Sequence, residues 1–315
     1  MKIVLTDCKT VTNGDVDLKV LEKYGEVVYY ELTSSDELVE RIKDADAVIC
    51  NKTVIDESVM EKCENLKYIG LFATGYNNID VDYAGKHGIT VCNAGSYSTE
   101  AVAQHTFAFI LNHYNKTAKY NEFVQEGNWK KSKTFSPFVF PINELAGKTI
   151  GIVGYGSIGR EVAKIAKAFS MKVLVYTRTK RQDDSIEFVS FDELLERSDI
   201  VSVHCPLNES SKKMFCEEAF SKFRDGAYFI NTARGGVIDE VALVNAVKRG
   251  KISGAAIDVL EYEPMREDCI LFGVDNITIT PHIAWAPYET RVRLLDIVSK
   301  NLEQFIAGNP QNVVS

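Results

Sequence analysis

Apolar residues recur along this chain with two different spacings. Short β-branched and aromatic runs (KIVLTD from position 2, VVYYEL from 27, AVIC from 47, YIGLFA from 68 and TVCNA from 90) read as strands. Between them, segments 16–24, 35–43 and 80–87 read as short helices. A second series begins at Lys148: KTIGIVG, KVLVYT, EFVS, IVSVHC, AYFINTA, AAIDVL and ITIT, with helices expected at 157–169, 191–197 and 239–249. Strands that alternate with helices in this way predict an α/β protein with parallel sheets.

Two series predict two domains, joined by long helices. In 98–116, Val102, Phe109 and Ile110 recur at helical spacing, and in 287–307 Val292, Leu295, Val298, Leu302 and Phe305 follow in steps of three and four. The second long helix follows the last strand, so the chain is expected to return to its first domain. The predicted division is 1–97 completed by 288–315, with 98–287 inserted as the second domain. The stretch 127–141, with aromatics and two prolines, reads as a loop.

Composition narrows the function. At 315 residues, 45% apolar and 25% charged, the chain has the make-up of an ordinary globular protein. Its formal charge of −8 argues against nucleic acid as a partner, and the pairs Lys130–Lys131 and Lys180–Arg181 read as solvated loops. No apolar run reaches membrane-span length and the first ten residues carry no leader pattern, so no membrane association and a cytoplasmic location are expected. The seven cysteines (8, 50, 63, 92, 205, 216 and 269) include no C-x-x-C pair, so no metal site is expected and reduced, buried thiols are.

One motif and three phrases carry chemistry. GYGSIG at 154–159 stands between the strand Thr149–Val153 and a helical stretch containing Ile158, Val162, Ile165 and Ala166. Gly154 permits the tight turn, Gly156 lets backbone approach a pyrophosphate, and Gly159 allows helix and strand to pack closely; Ser157 and Ile158 begin the helix whose positive end faces the anion. The next strand ends in Tyr176, Thr177, Arg178, Thr179, with no acid to bind a ribose 2′-hydroxyl. Arginine with hydroxyls suits a 2′-phosphate instead, so NAD(P)H is expected with NADP(H) favoured over NAD(H).

The phrases NTARGG (231–236), VLEYEP (259–264) and TPHIAWAP (280–287) supply Arg234, Glu263 and His282. Reduction of a 2-oxo acid needs a bidentate cation for the carboxylate, which Arg234 provides. It also needs a proton donor for the carbonyl oxygen, which His282 provides, with a carboxylate to orient the imidazole and favour its charged form. Glu261 and Asp258 rival Glu263 for that role. Among the other histidines, His87 and His113 read as surface residues, His105 as part of the first long helix, and His204 as the competitor of His282.

These residues closely resemble the D-isomer-specific 2-hydroxyacid dehydrogenase family. The resemblance runs through ATGYNNID (73–80), YSTEAVAQHTFAFIL (97–111), ELAGKTIGIVGYGSIGR (144–160), VHCPL, NTARGG, AIDVLEYEP and TPHIAWAP. It implies two Rossmann-like domains, flavodoxin-like plus dinucleotide-binding, and a homodimer built on the cofactor domain. It implies that Arg234 binds the substrate carboxylate, that Glu263 partners His282, and that His282 is the acid/base. Thr74 and Gly75 match the loop that helps hold the carboxylate, Asp258 matches a position near the nicotinamide amide, and Pro206, Thr232 and Ala233 match the cofactor wall; His204 and Cys205, at the same strand end as Pro206, are expected beside the cofactor too. The YST-x-x-VAQ, TGYN and TPHIAWA wording points to hydroxypyruvate/D-glycerate or glyoxylate/glycolate as substrate pair. A bulkier 2-oxo acid, or dinucleotide sensing without catalysis, are the alternatives. A chain stopping at Ser315 is expected to lack the regulatory C-terminal domain of larger phosphoglycerate dehydrogenases.

Overall fold

The structure, a computed structural model, describes residues 1–179 and 183–315; the Lys180–Arg181 pair lies outside the described residues. The chain divides into two compact units, one formed by Met1–Ser98 with Trp285–Ser315 and the other by Thr99–Ala284.

The first unit is built on a parallel sheet of five strands: β1 (Lys2–Leu5), β2 (Glu26–Tyr29), β3 (Ala47–Cys50), β4 (Tyr68–Leu71) and β5 (Thr90–Cys92). Their order, β2-β1-β3-β4-β5, is that of flavodoxin-like folds. Strands β3 and β4 are buried throughout, which their uninterrupted apolar runs anticipate for a sheet covered on both faces. The segment read as a helix at 16–24 is instead a 3-10 turn, Leu18–Tyr24, with the Asp17 side chain accepting from the Lys19 amide. The long helix Tyr288–Ile306 belongs to this unit, where Leu294, Leu295, Val298 and Leu302 join Ile3, Leu5, Ile49 and Tyr68 in one core.

The second unit has seven parallel strands: β6 (Thr149–Val153), β7 (Lys172–Tyr176), β8 (Glu187–Phe188), β9 (Ile200–Val203), β10 (Ala227–Asn231), β11 (Ile252–Ile257) and β12 (Ile277–Ile279). The order β12-β11-β10-β9-β6-β7-β8 is the dinucleotide-binding arrangement, with the chain reversing direction across the sheet between β6 and β9. In open α/β sheets, ligands bind beyond the carboxyl ends of the strands at that point. The helix Ser157–Ala168 buries Gly159, Val162, Ala163 and Ala166, while Glu240–Lys248 is started by Asp239, which accepts from the Val241 and Ala242 amides. Such a cap contributes about 1 kcal/mol.

Three differences from the sequence reading have simple causes. The long helix Thr99–Asn115 does not merely join domains: Ala103, Phe107 and Ile110 are part of the second unit's core. His113, read as a surface residue, stacks on Tyr228 at 3.8 Å between ring centroids, and burial pushes its imidazole down to about 4. Its apolar partner arrives from β10, which linear periodicity does not reveal. Within the stretch read as a loop, Trp129–Lys131 form a 3-10 turn after a helix, Thr117–Gln125, that the sequence reading passed over.

Candidate active site

The glycine-rich turn leaves β6 and enters the helix Ser157–Ala168. Gly154 has φ +100°, and a Cβ there would lie 2.7 Å from the Cys205 amide nitrogen and the His204 carbonyl. A Cβ on Gly159 would overlap the Gly154 carbonyl oxygen, whereas one on Gly156 would meet nothing within 4 Å. Two of the glycines are therefore demanded by protein packing. Gly156 instead flanks open space, at a helix start whose capping position supplies no side-chain hydrogen bond. Backbone amides facing an open volume at a helix N-terminus suit a pyrophosphate, so the residues present fit a dinucleotide.

The neighbouring walls follow from the same strand ends. His204, Cys205 and Pro206 leave β9 beside the turn. His204 Nε2 lies 2.8 Å from Ser202 Oγ, and burial pushes the ring down to about 3. A ring held neutral through the working pH range is unsuited to donate a proton near neutrality, which removes His204 as competitor for acid/base work. Burial likewise raises the Cys205 thiol to about 11, far from a reactive thiolate. At the end of β7, Arg178 Nη1 donates to Ser210 Oγ at 3.3 Å, next to the exposed Thr179 and half-buried Thr177. Sequence reasoning missed Asp183, whose Oδ2 accepts from the hydroxyl of Tyr155, within the glycine-rich turn, at 2.8 Å.

The residues expected from sequence at the reacting end lie just beyond the carboxyl ends of β10, β11 and β12. Asn231, fully buried at the end of β10, accepts from the Ala233 amide at 2.9 Å and donates to the Arg234 carbonyl at 2.9 Å. That side chain ties the Thr232–Ala233–Arg234 turn and leaves the Arg234 side chain exposed, its Nη1 donating to the Ala233 carbonyl at 2.8 Å. A Cβ on Gly235 would overlap the Leu260 carbonyl and the Glu261 amide, so the arginine turn presses backbone to backbone on the phrase carrying Glu263. Gly235 was expected from sequence to allow a tight turn after Arg234, but Asn231 was not singled out; the N of NTARGG is its only linear trace.

Glu263 and His282 meet directly. Glu263 Oε2 lies 2.7 Å from His282 Nδ1, and Oε1 accepts from the Leu260 amide at 2.9 Å. Both side chains are half-buried. A carboxylate only accepts, so Nδ1 carries the proton in this pair and proton exchange is left to Nε2. Of the rival acids, Glu261 is exposed, and Asp258 is buried with its carboxylate turned to the chain at 280–284. Thr232 is buried, its hydroxyl 3.4 Å from that of Thr106. Thr74 and Gly75 belong to the first unit, in the turn after β4, where the Thr74 hydroxyl donates to the Gly95 carbonyl and the Thr74 carbonyl accepts from Asn93 Nδ2 at 2.7 Å.

A strand-edge dinucleotide turn and a paired glutamate and histidine beside an arginine turn define a nicotinamide-dependent oxidoreductase. Residues 107–284 match the family model described as the NAD-binding domain of D-isomer-specific 2-hydroxyacid dehydrogenases. The chain is 42% identical to the hydroxypyruvate reductase of Blautia hydrogenotrophica, with 100% of each chain covered. It is 37% identical to the glycerate dehydrogenase of Methylorubrum extorquens, covering 99% of this chain and 98% of that one. Among solved structures, an acyclic imino acid reductase in complex with NADPH and D-arginine superposes with a TM-score of 0.88, at 33% identity and 100% coverage of each chain. The protein belongs to the D-isomer-specific 2-hydroxyacid dehydrogenase family.

Proposed function

We propose that the protein reduces hydroxypyruvate to D-glycerate, with glyoxylate as a smaller alternative substrate, and that NADPH is preferred over NADH. The observation that carries the reaction is the 2.7 Å Glu263–His282 pair at the same sheet edge as the Arg234 turn. Support for the substrate comes from two relatives whose names describe one interconversion from opposite sides, hydroxypyruvate reductase and glycerate dehydrogenase.

A nicotinamide held by the glycine-rich turn and the strand ends would supply the hydride for the carbonyl carbon. Arg234 binds the substrate carboxylate through two parallel hydrogen bonds, which fixes the 2-oxo group in orientation. As negative charge develops on the carbonyl oxygen, the cationic His282 transfers its Nε2 proton there, and the D-2-hydroxy acid leaves with one hydride and one proton gained. Glu263 holds Nδ1–H throughout, so the ring stays in the tautomer that presents Nε2. In the oxidative direction the neutral ring takes the hydroxyl proton back through the same atom.

For the cofactor, the turn Gly154, Gly156, Ser157, Ile158 and Gly159 holds the pyrophosphate, and Thr177, Arg178 and Thr179 read the ribose. The absence of an acid at 177–179 and an arginine there favour the 2′-phosphate. The protein works as a homodimer through the cofactor domain. Phe135 and Phe138, each 88% exposed, together with Trp129 and Ile142, offer an apolar arm that a monomer would leave in water. Seven free cysteines fit the reducing cytoplasm.

Absorbance of the reduced nicotinamide, followed with NADPH and NADH across hydroxypyruvate, glyoxylate, pyruvate and bulkier 2-oxo acids, tests the reading. Hydroxypyruvate should give the highest kcat/KM. Arg178→Ala should raise the NADPH dissociation constant about tenfold while NADH changes about twofold or less. Tight cofactor binding without turnover of any 2-oxo acid would instead make this a dinucleotide-binding protein.

A further inference from the structure

We propose that Asp258 and Thr280 are positioning residues that hold the backbone of His282, with His105 completing the set. The inference rests on His282 being the acid/base and assigns to residues outside the Glu263–His282 pair the task of placing it.

His282 has φ +54°, in the left-handed region. A non-glycine residue is disfavoured there by about 1–2 kcal/mol, so its surroundings must impose that conformation. One carboxylate grips the chain on both sides of it. Asp258, 2% exposed at the end of β11, accepts from Thr280 Oγ1 at 2.5 Å and from the Ile283 amide at 2.9 Å through Oδ1, and from the Ala284 amide at 2.9 Å through Oδ2. Between those grips stand Pro281, which has no amide proton, and His282, whose amide donates back to the Thr280 carbonyl at 3.0 Å. The two residues therefore bulge out of a ring closed by Asp258, and the imidazole is carried on the bulge.

A second layer holds the first. The one proton of the Thr280 hydroxyl goes to Asp258, so toward His105 Nε2, 3.1 Å away, the same oxygen can only accept. His105 thus carries its proton on Nε2, which lies 3.8 Å from Asp258 Oδ1. Burial, opposed by the Asp258 charge, lowers the His105 imidazole, and Phe109 fixes the ring edge-on at 4.5 Å. The result divides the work between two carboxylates. Glu263 sets the rotation and tautomer of the His282 ring, while Asp258 sets where the ring begins. A misplacement of roughly 1 Å at a reacting group costs about 100-fold in rate. Asp258 also matches the family position near the nicotinamide amide, and a carboxylate accepting three bonds retains room for a fourth. Thr280 separates the two duties, because its hydroxyl bonds Asp258 and His105.

The test compares Thr280→Val, Thr280→Ser and His105→Leu in the full chain. It uses steady-state reduction of hydroxypyruvate, cofactor titration by nicotinamide fluorescence, and hydrogen exchange of the Ile283 and Ala284 amides. Thr280→Val should lower kcat about 10- to 100-fold, with KM and cofactor affinity within about twofold of the parent. The two amides should exchange about tenfold faster. Thr280→Ser should restore both readouts to within about threefold, and His105→Leu should shift both in the same direction by about threefold. Unchanged exchange in both Thr280→Val and His105→Leu overturns the proposal. So does a loss of cofactor affinity in step with kcat, or a serine that fails to rescue. If the unsubstituted protein reduces no 2-oxo acid, the functional reading fails instead, and the exchange measurement still decides whether the clamp holds this backbone.

Discussion

The two units contain the same device in different use. In each, a buried aspartate just beyond one strand grips the chain leaving the neighbouring strand. Asp7, 4% exposed after β1, takes the Asn51 amide at 2.9 Å on Oδ1, and the Lys52 and Thr53 amides at 2.6 and 2.9 Å on Oδ2, beyond β3. Asp258 after β11 takes Thr280, Ile283 and Ala284 beyond β12. The first grip is continuous over three amides and simply terminates a strand. The second skips Pro281 and His282 and so projects a titratable side chain. The carboxylate chemistry is shared, and what separates support from presentation is the sequence being gripped.

The comparison breaks most visibly at His282. His282→Asn should lower kcat by about 10²–10⁴-fold while thermal stability stays within about 2 °C, because the bulge lies outside the closed ring. A comparable loss of stability would mean that the bulge supports the fold. Next in size, Asp7→Ala leaves the buried Asn51 amide and the less buried Lys52 and Thr53 amides without that acceptor and should cost about 3 kcal/mol in a urea titration. Asp258→Ala should cost a similar amount, and a value under about 1 kcal/mol for either would show that water replaces that carboxylate.

A smaller difference between the units is their response to acid. Four of the five histidines (His105, His113, His204 and His282) lie in the second unit, and the exposed His87 is the one in the first. Burial holds His113 at about 4 and His204 at about 3, against 6.5 ordinarily. Below pH 6.5 the unfolded chain therefore binds protons that the native rings do not, and native stability falls as pH drops from there toward 4. Hydrogen exchange between pH 7 and 4.5 should show the second unit loosening first, and His113→Gln should flatten that slope. Equal loosening of both units would mean that neither imidazole contributes.

The sequence carried much of this arrangement. Largely apolar runs located β3, β4, β6 and β9, and GYGSIG placed a glycine-rich turn between strand and helix, because glycine is required wherever backbone must approach backbone or phosphate. The phrases around Arg234, Glu263 and His282 singled those side chains out as candidates, since few residue types can grip a carboxylate or move a proton near neutrality. Less legible were Asn231, Thr280 and His105, polar residues with no spacing that sets them apart from surface positions. The sequence reading of His113 as exposed failed for the same reason, since its partner Tyr228 is distant along the chain.

What the sequence determined by itself was the α/β class, the glycine-rich turn between strand and helix, and the phrases that hold Arg234, Glu263 and His282, all of which depend on local period or on residue chemistry. Only the tertiary structure decided which of three acids faces His282. It also decided that His204 is held neutral by burial, and that Asp258 serves the backbone at 280–284. Those outcomes depend on hydrogen bonds and burial between strand ends brought side by side by the order of the sheet. A carboxylate's duty is set by the donors that reach it, and folding chooses those donors.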